Sequence, residues 1–179
     1  MRKIITWVVA IAFAATALIF FYFQQNNSKS KANTGEGNRI EQSTAVDPEK
    51  LLDGIDESKL FAVTRRTEGG AVTVDAAFLN ILKPEEKDLI FYVTLNTHTV
   101  DLSSYDIAKI AVLSNGSKTV NQGFTWRAIS DDGHHRSGIL TIKNDGLFNN
   151  NTGFLELNLQ TIGAIPDRKF KWDKSDWKK

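Results

Sequence analysis

The run from Ile4 to Phe23 constrains this chain more than any other stretch. It reads IITWVVAIAFAATALIFFYF, without a single charge, and Arg2 and Lys3 stand immediately before it. About 20 apolar residues in a helix are enough to cross a bilayer. A cleavable signal peptide has a shorter apolar region, about 7–15 residues, ending at a small-x-small site. Here the exit is Phe20-Phe21-Tyr22-Phe23-Gln24-Gln25, with rings where small residues are required, and Ala12, Ala14, Ala15 and Ala17 lie too early. With no cysteine, attachment of a lipid to cysteine is excluded. The run reads as an uncleaved anchor.

Cationic residues favour the cytoplasmic side, so Arg2 and Lys3 place the three-residue stub (1–3) inside and the rest of the chain outside. The expected localisation is the cell membrane, single-pass, with an extracytoplasmic domain. From Gln24 to Val46 the composition turns to Asn, Ser, Lys, Gly and Gln with one isolated isoleucine. Such a segment buries too little apolar surface to offset its ordering entropy, so 24–46 reads as a flexible linker.

The remainder has the length of one domain. The formal net charge is +1, from 22 basic and 21 acidic residues, which supplies no basic field for nucleic acid. No cysteine means no disulfide, so the fold must stand on its apolar core. Asp47-Pro48-Glu49 is a helix start, with a capping acid, proline at the first position and an acid in the first turn. A short helix is expected over 47–60.

Beyond it the apolar period becomes two. Val72, Val74, Ala76 and Phe78 alternate with Thr73, Asp75 and Ala77, a half-buried strand. The turn Glu68-Gly69-Gly70 makes Phe61 to Arg66 its hairpin partner. Leu89 to Asn96 is the most strand-like run, and Ser114-Asn115-Gly116-Ser117 joins Ile107–Leu113 to Lys118–Val120. Further strands are expected over 123–130, 138–143, 154–159 and 168–172. The pattern predicts an all-β fold, an antiparallel immunoglobulin-like β-sandwich of seven to eight strands over 61–173, with a frayed tail at 174–179.

One constellation offers chemistry. His98 lies in NTHTVD and the pair His134-His135 in DDGHHRSG, all near strand ends. Neutral imidazoles suit zinc or copper(II), and loops at one end of a sandwich can bring distant residues together. The candidate ligands are His98, His134 and His135, with Asp101 and Asp132 as further members and Asp131 as an orienting group. Without a thiolate a blue-copper centre is excluded. Solvated turn histidines are the plainer account, since no HExxH or zinc-finger spacing is present. Trp126 and Arg136 are the other candidate binding residues; Trp126 fits a core equally well.

Thr97-His98-Thr99-Val100-Asp101-Leu102, then Trp126, then Gly133-His134-His135-Arg136-Ser137-Gly138-Ile139-Leu140, then Arg168-Lys169-Phe170-Lys171-Trp172, resembles a family of small exported or membrane-anchored prokaryotic β-sandwich proteins. The resemblance spans Val72 to Trp172 and implies a fold and a location but no activity. Asp132 stands where a second glycine would be expected.

Catalytic motifs are thin. There is no Gly-x-Ser-x-Gly elbow, and the Ser-x-x-Lys matches at Ser28–Lys31 and Ser175–Lys178 fall in linker and tail. The chain therefore reads as a binding module and not an enzyme. It holds either zinc or copper(II) through loop histidines or, as the alternative, an envelope protein partner.

Overall fold

The computed structural model describes residues 47–178. The expected stub, anchor and linker (1–3, 4–23 and 24–46) lie outside the described residues. Among the described residues no helix is long and apolar enough to cross a membrane.

Nine strands among the described residues form two antiparallel sheets. The five-stranded sheet has the order β1 (Thr64–Gly69), β2 (Val72–Phe78), β3 (Asp88–Thr97), β7 (His135–Lys143), β6 (Thr125–Asp131). The four-stranded sheet runs β5 (Thr119–Val120), β4 (Ala111–Ser114), β8 (Phe154–Gln160), β9 (Asp167–Asp173). The all-β sandwich expectation holds. Its connectivity is not the one expected: β1, β2 and β3 are sequential neighbours in one sheet, whereas the immunoglobulin partition sends its second and third strands to different sheets.

Alternation explains the core between the sheets. Val72, Val74, Ala76 and Phe78 face inward from β2, and Leu89, Phe91, Val93 and Leu95 from β3. Leu155, Leu157 and Leu159 of β8 meet them with Phe170 and Trp172 of β9, all fully buried. Phe78, Phe91 and Trp172 form an aromatic centre, with Trp172 tilted at 5.8 and 5.7 Å from the two phenyl rings. The first half of β3 reads as an unbroken apolar run because both its faces are covered. Ile90 on the outer face packs with Ala77 and Ile139 under the segment that precedes β1.

That segment differs from expectation in two ways. A 3-10 turn, Pro48–Leu51, starts as foreseen, with the Asp47 carboxylate accepting from the Glu49 amide at 3.2 Å. It ends at Leu51 with Leu52 as its cap, and Gly54 takes φ +72° in the turn that follows. A second helix, α1 (Glu57–Val63), takes residues expected in a strand. Asp56 caps it by accepting from the Ser58 amide at 2.9 Å, and Val63 and Leu60 pack on the outer face of the sheet. Local capping and burial outweigh the hairpin pattern, so β1 begins only at Thr64.

The same competition shortens β4. Asp106 caps a single turn, α2 (Ile107–Ile110), through the Lys109 amide at 3.3 Å, and the strand starts at Ala111. The tail is ordered as well: α3 (Lys174–Trp177) is held by Asp176, which accepts from the Asp173 amide and from Arg65, both at 2.8 Å.

Candidate functional site

The two loops carrying the histidines meet at one end of the sandwich. β3 and β7 are paired from Asp88↔Lys143 to Asn96↔His135, so the chain leaving β3 runs beside the turn entering β7. Backbone bonds complete the junction: Thr97 donates to the His134 carbonyl at 3.0 Å and Leu102 to the Gly133 carbonyl at 2.8 Å. Gly133 takes φ +85°, a left-handed turn position that glycine occupies without strain.

The loops carrying His98 and the His134-His135 pair thus lie side by side, and of the three rings His98 and His135 are the pair in contact. The His98 and His135 rings lie edge to face, 6.1 Å apart. His135 Nδ1 is 3.0 Å from Asn96 Oδ1, and His134 Nδ1 is 3.2 Å from the Val100 carbonyl. An oxygen that only accepts requires the proton on Nδ1 of each ring, so both imidazoles donate there. Among the described residues, however, no three histidine or acidic side chains converge tightly enough to hold a metal ion.

The acids are spent on the loops. Asp132 Oδ1 accepts from the His134 and His135 amides at 3.0 and 2.6 Å. Burial pushes its carboxyl up, but these two amides, aided by both imidazoles, bring it below the ordinary carboxylate value. Asp101 Oδ1 accepts from the Ser103 hydroxyl at 2.6 Å and the Ser103 amide at 2.9 Å, which lowers its carboxyl too. Neither carboxylate is placed as a third ligand.

Arg136 and Trp126 are built into the frame. On β7 the inward positions are Arg136, Gly138, Leu140 and Ile142, and Arg136 is 6% exposed. Its Nη1 donates to the carbonyls of Leu102 and Tyr105 at 2.6 and 2.8 Å, and its Nε pairs with Asp131 Oδ1 at 2.9 Å. The guanidinium therefore clamps the 102–105 loop. Trp126 packs against the core with its ring over Gly138, where a Cβ would approach ring carbons to 2.7 Å.

Sequence reasoning passed over the matching residue of the other sheet. On β9 the inward positions are Arg168, Phe170 and Trp172, and Arg168 is 1% exposed. It donates through Nε to the Ile162 carbonyl at 3.1 Å and through Nη2 to the Gly69 carbonyl at 2.5 Å. No carboxylate faces it among the described residues; burial lowers its affinity for the proton, opposed by Tyr105. The signal was legible in the alternation Arg-x-Phe-x-Trp, which sets the arginine on the core side.

No protein-family model matches the chain, and no curated protein or solved structure is similar to it.

Proposed function

We propose that this chain is a membrane-anchored, extracytoplasmic, non-catalytic binding module that receives an extended segment of an envelope protein along the edge of its five-stranded sheet. The sequence supports the location, through the Ile4–Phe23 run and the two cationic residues before it. One observation about sheet edges supports the mode. Edges β1 and β9 are tied to each other by Arg65, Arg168 and Trp172, which donate to the Lys171, Gly69 and Val63 carbonyls across the seam. Edge β5 is only two residues long. Among the described residues β6 remains, a seven-residue edge that pairs with β7 alone, with Thr125 and Ala128 exposed and a register shift between Ala128 and Ser130. An unpaired edge of that length is the usual acceptor for strand addition, with the bulge limiting indiscriminate pairing.

The test is site-specific photocrosslinking of the full chain in its native membrane. Crosslinkers at Thr125 and Ala128 are expected to trap one partner in stoichiometric yield, insensitive to chelator, while one at Lys169 on the outer face of the other sheet traps none. The reverse distribution retires the edge reading.

A second reading, zinc or copper(II) binding at His98, His134 and His135, rests on a different observation. Metal-ligating imidazoles commonly donate their other N–H to a carbonyl or amide oxygen, the arrangement His134 and His135 adopt.

A further inference from the structure

The opposite end of the sandwich holds a cleft of about 380 Å³, formed by the loop before β3, the loop after β7 and α3. Its wall includes Phe148, Trp177, Glu86, Asn144, Asn149 and Asn150. That volume falls within the ~300–1,000 Å³ of small-ligand pockets.

The walls are fixed before any ligand arrives. Phe148 stands edge-on to Phe78 and to Trp177, with centroids 5.0 and 4.9 Å apart. Asn144 holds the Phe148 backbone at both ends, donating to its carbonyl at 2.8 Å and accepting from its amide at 2.9 Å. Buried Asn80 accepts from the Ile90 amide and donates to the Asp88 carbonyl, both at 2.8 Å, which sets the loop before β3. A preformed wall lowers the ordering cost of binding.

Other polar groups in the wall are uncommitted. Asn149 Oδ1 accepts from the Asn151 amide at 2.8 Å, leaving its NH2 group. The Asn150 amide and the Glu86 carboxylate have no side-chain partner among the described residues. Among the described residues no lysine or arginine lines the cleft, so a phosphate, sulfate or carboxylate ligand would meet there the negative charge of Glu86. Two aromatic rings, amides that both donate and accept, and one carboxylate acceptor match a ring with apolar C–H faces and many hydroxyls.

We infer that this cleft is a binding site for a neutral saccharide of one or two rings, distinct from the β6 edge and from the histidine end. The rings cover its C–H surface, and Asn149, Asn150 and Glu86 bond its hydroxyls.

The experiment is saturation-transfer NMR and calorimetry on the full chain, solubilised in a detergent without a sugar headgroup. The probes are neutral disaccharides terminating in glucose, galactose, mannose or N-acetylglucosamine, with choline and inorganic phosphate alongside. At least one saccharide is expected to bind with Kd of about 1 mM or tighter, weakened about tenfold by Glu86→Gln and by Asn150→Ala, and unchanged in His98→Ala. Both cleft substitutions are at surface side chains and are checked for unchanged thermal unfolding. Binding of no saccharide, saccharide binding indifferent to Glu86 and Asn150, or preference for choline or phosphate each overturns the inference.

Discussion

Arg168 Nη2 reaches the carbonyl of Gly69 at 2.5 Å, tying the last strand of one sheet to the first strand of the other. Two further bonds run along the same seam. Trp172 Nε1 donates to the Val63 carbonyl at 2.6 Å, and Arg65 Nε returns from β1 to the Lys171 carbonyl at 3.0 Å. The seam is closed by side chains donating to backbone, not by a strand ladder. Each donor satisfies a carbonyl that an open edge would leave to solvent or to another chain. Near its end, Gly70 and Gly163 come so close that a Cβ on Gly70 would sit 1.7 Å from the Gly163 carbonyl oxygen. Glycine is required at both positions, and both take positive φ.

Arg168 is accordingly expected to matter more for stability than any exposed charge. Arg168→Met keeps the apolar stem but leaves the Ile162 and Gly69 carbonyls without their donor, a loss of about 2–4 kcal/mol in urea unfolding. Arg168→Lys recovers only part of it, because an ammonium cannot present the fork that spans those carbonyls. A loss below about 0.5 kcal/mol for the methionine variant would show that the seam is closed by packing alone.

Gly138 is expected to be intolerant of a single methyl. At that position a Cβ would lie 2.4 Å from the Arg127 carbonyl oxygen and 2.7 Å from the Trp126 ring. Gly138→Ala should destabilise by about 2–3 kcal/mol. Adding Trp126→Leu relieves the ring but not the carbonyl, so the double variant should regain little. Full recovery in equilibrium unfolding would show that the ring is the sole obstacle.

Much of this architecture was legible in sequence because period-two alternation records which side of a strand is buried. Val72 to Phe78 and Phe154 to Leu159 are strands for that reason, and Leu89 to Asn96 shows itself by its aromatic and β-branched residues. The misses have local causes. Phe61 to Val63 and Ile107 to Ile110 carry strand-like residues, yet Asp56 and Asp106 cap short helical turns over them. That the histidine-bearing loops could meet at one end was legible from their strand-end placement. What the rings face was not: sequence cannot tell that Asn96 and Val100 would take their Nδ1 protons, or that Asp101 and Asp132 would be consumed by neighbouring amides. Strand connectivity was equally hidden, since alternation gives a face and not a neighbour. The cleft at the far end was hidden in the sequence, because its aromatic wall comes from Phe148 and Trp177, distant along the chain.

The metal reading makes a sharp expectation. Zinc or copper(II) titrated into the full chain by calorimetry should bind one-to-one and tightly, and His98→Ala should weaken that binding about tenfold or more, because His98 and His135 present the nearest pair of rings. Asn96→Ala, which removes the oxygen that orients the His135 ring, should weaken it less. Binding no tighter than that of scattered surface histidines, or indifferent to His98, ends this reading and leaves the β6 edge as the working surface.

Acid should loosen the histidine end first, and Asp132 should report it. Burial pushes its carboxyl up, but the amides of His135 and His134 outweigh that and hold it below the ordinary carboxylate value. A depressed folded value means that the stabilisation is complete above the unfolded value and is lost as pH falls through the folded one. The thermal midpoint should therefore drop as pH falls below the ordinary carboxylate range. Asp132→Asn keeps an oxygen to accept from both amides, so it should change stability at pH 7 by under about 1 kcal/mol. It cannot ionise, however, and its acid-limb drop should be shallower than that of the parent chain. Asp101→Asn should act in the same direction through Ser103, and the two substitutions together should flatten the limb further. Hydrogen exchange locates the effect: the Leu102 amide, bonded to the Gly133 carbonyl, should lose protection in acid in the parent chain before amides of central β3 do. Identical acid limbs in parent and double variant would place the acid sensitivity elsewhere in the fold.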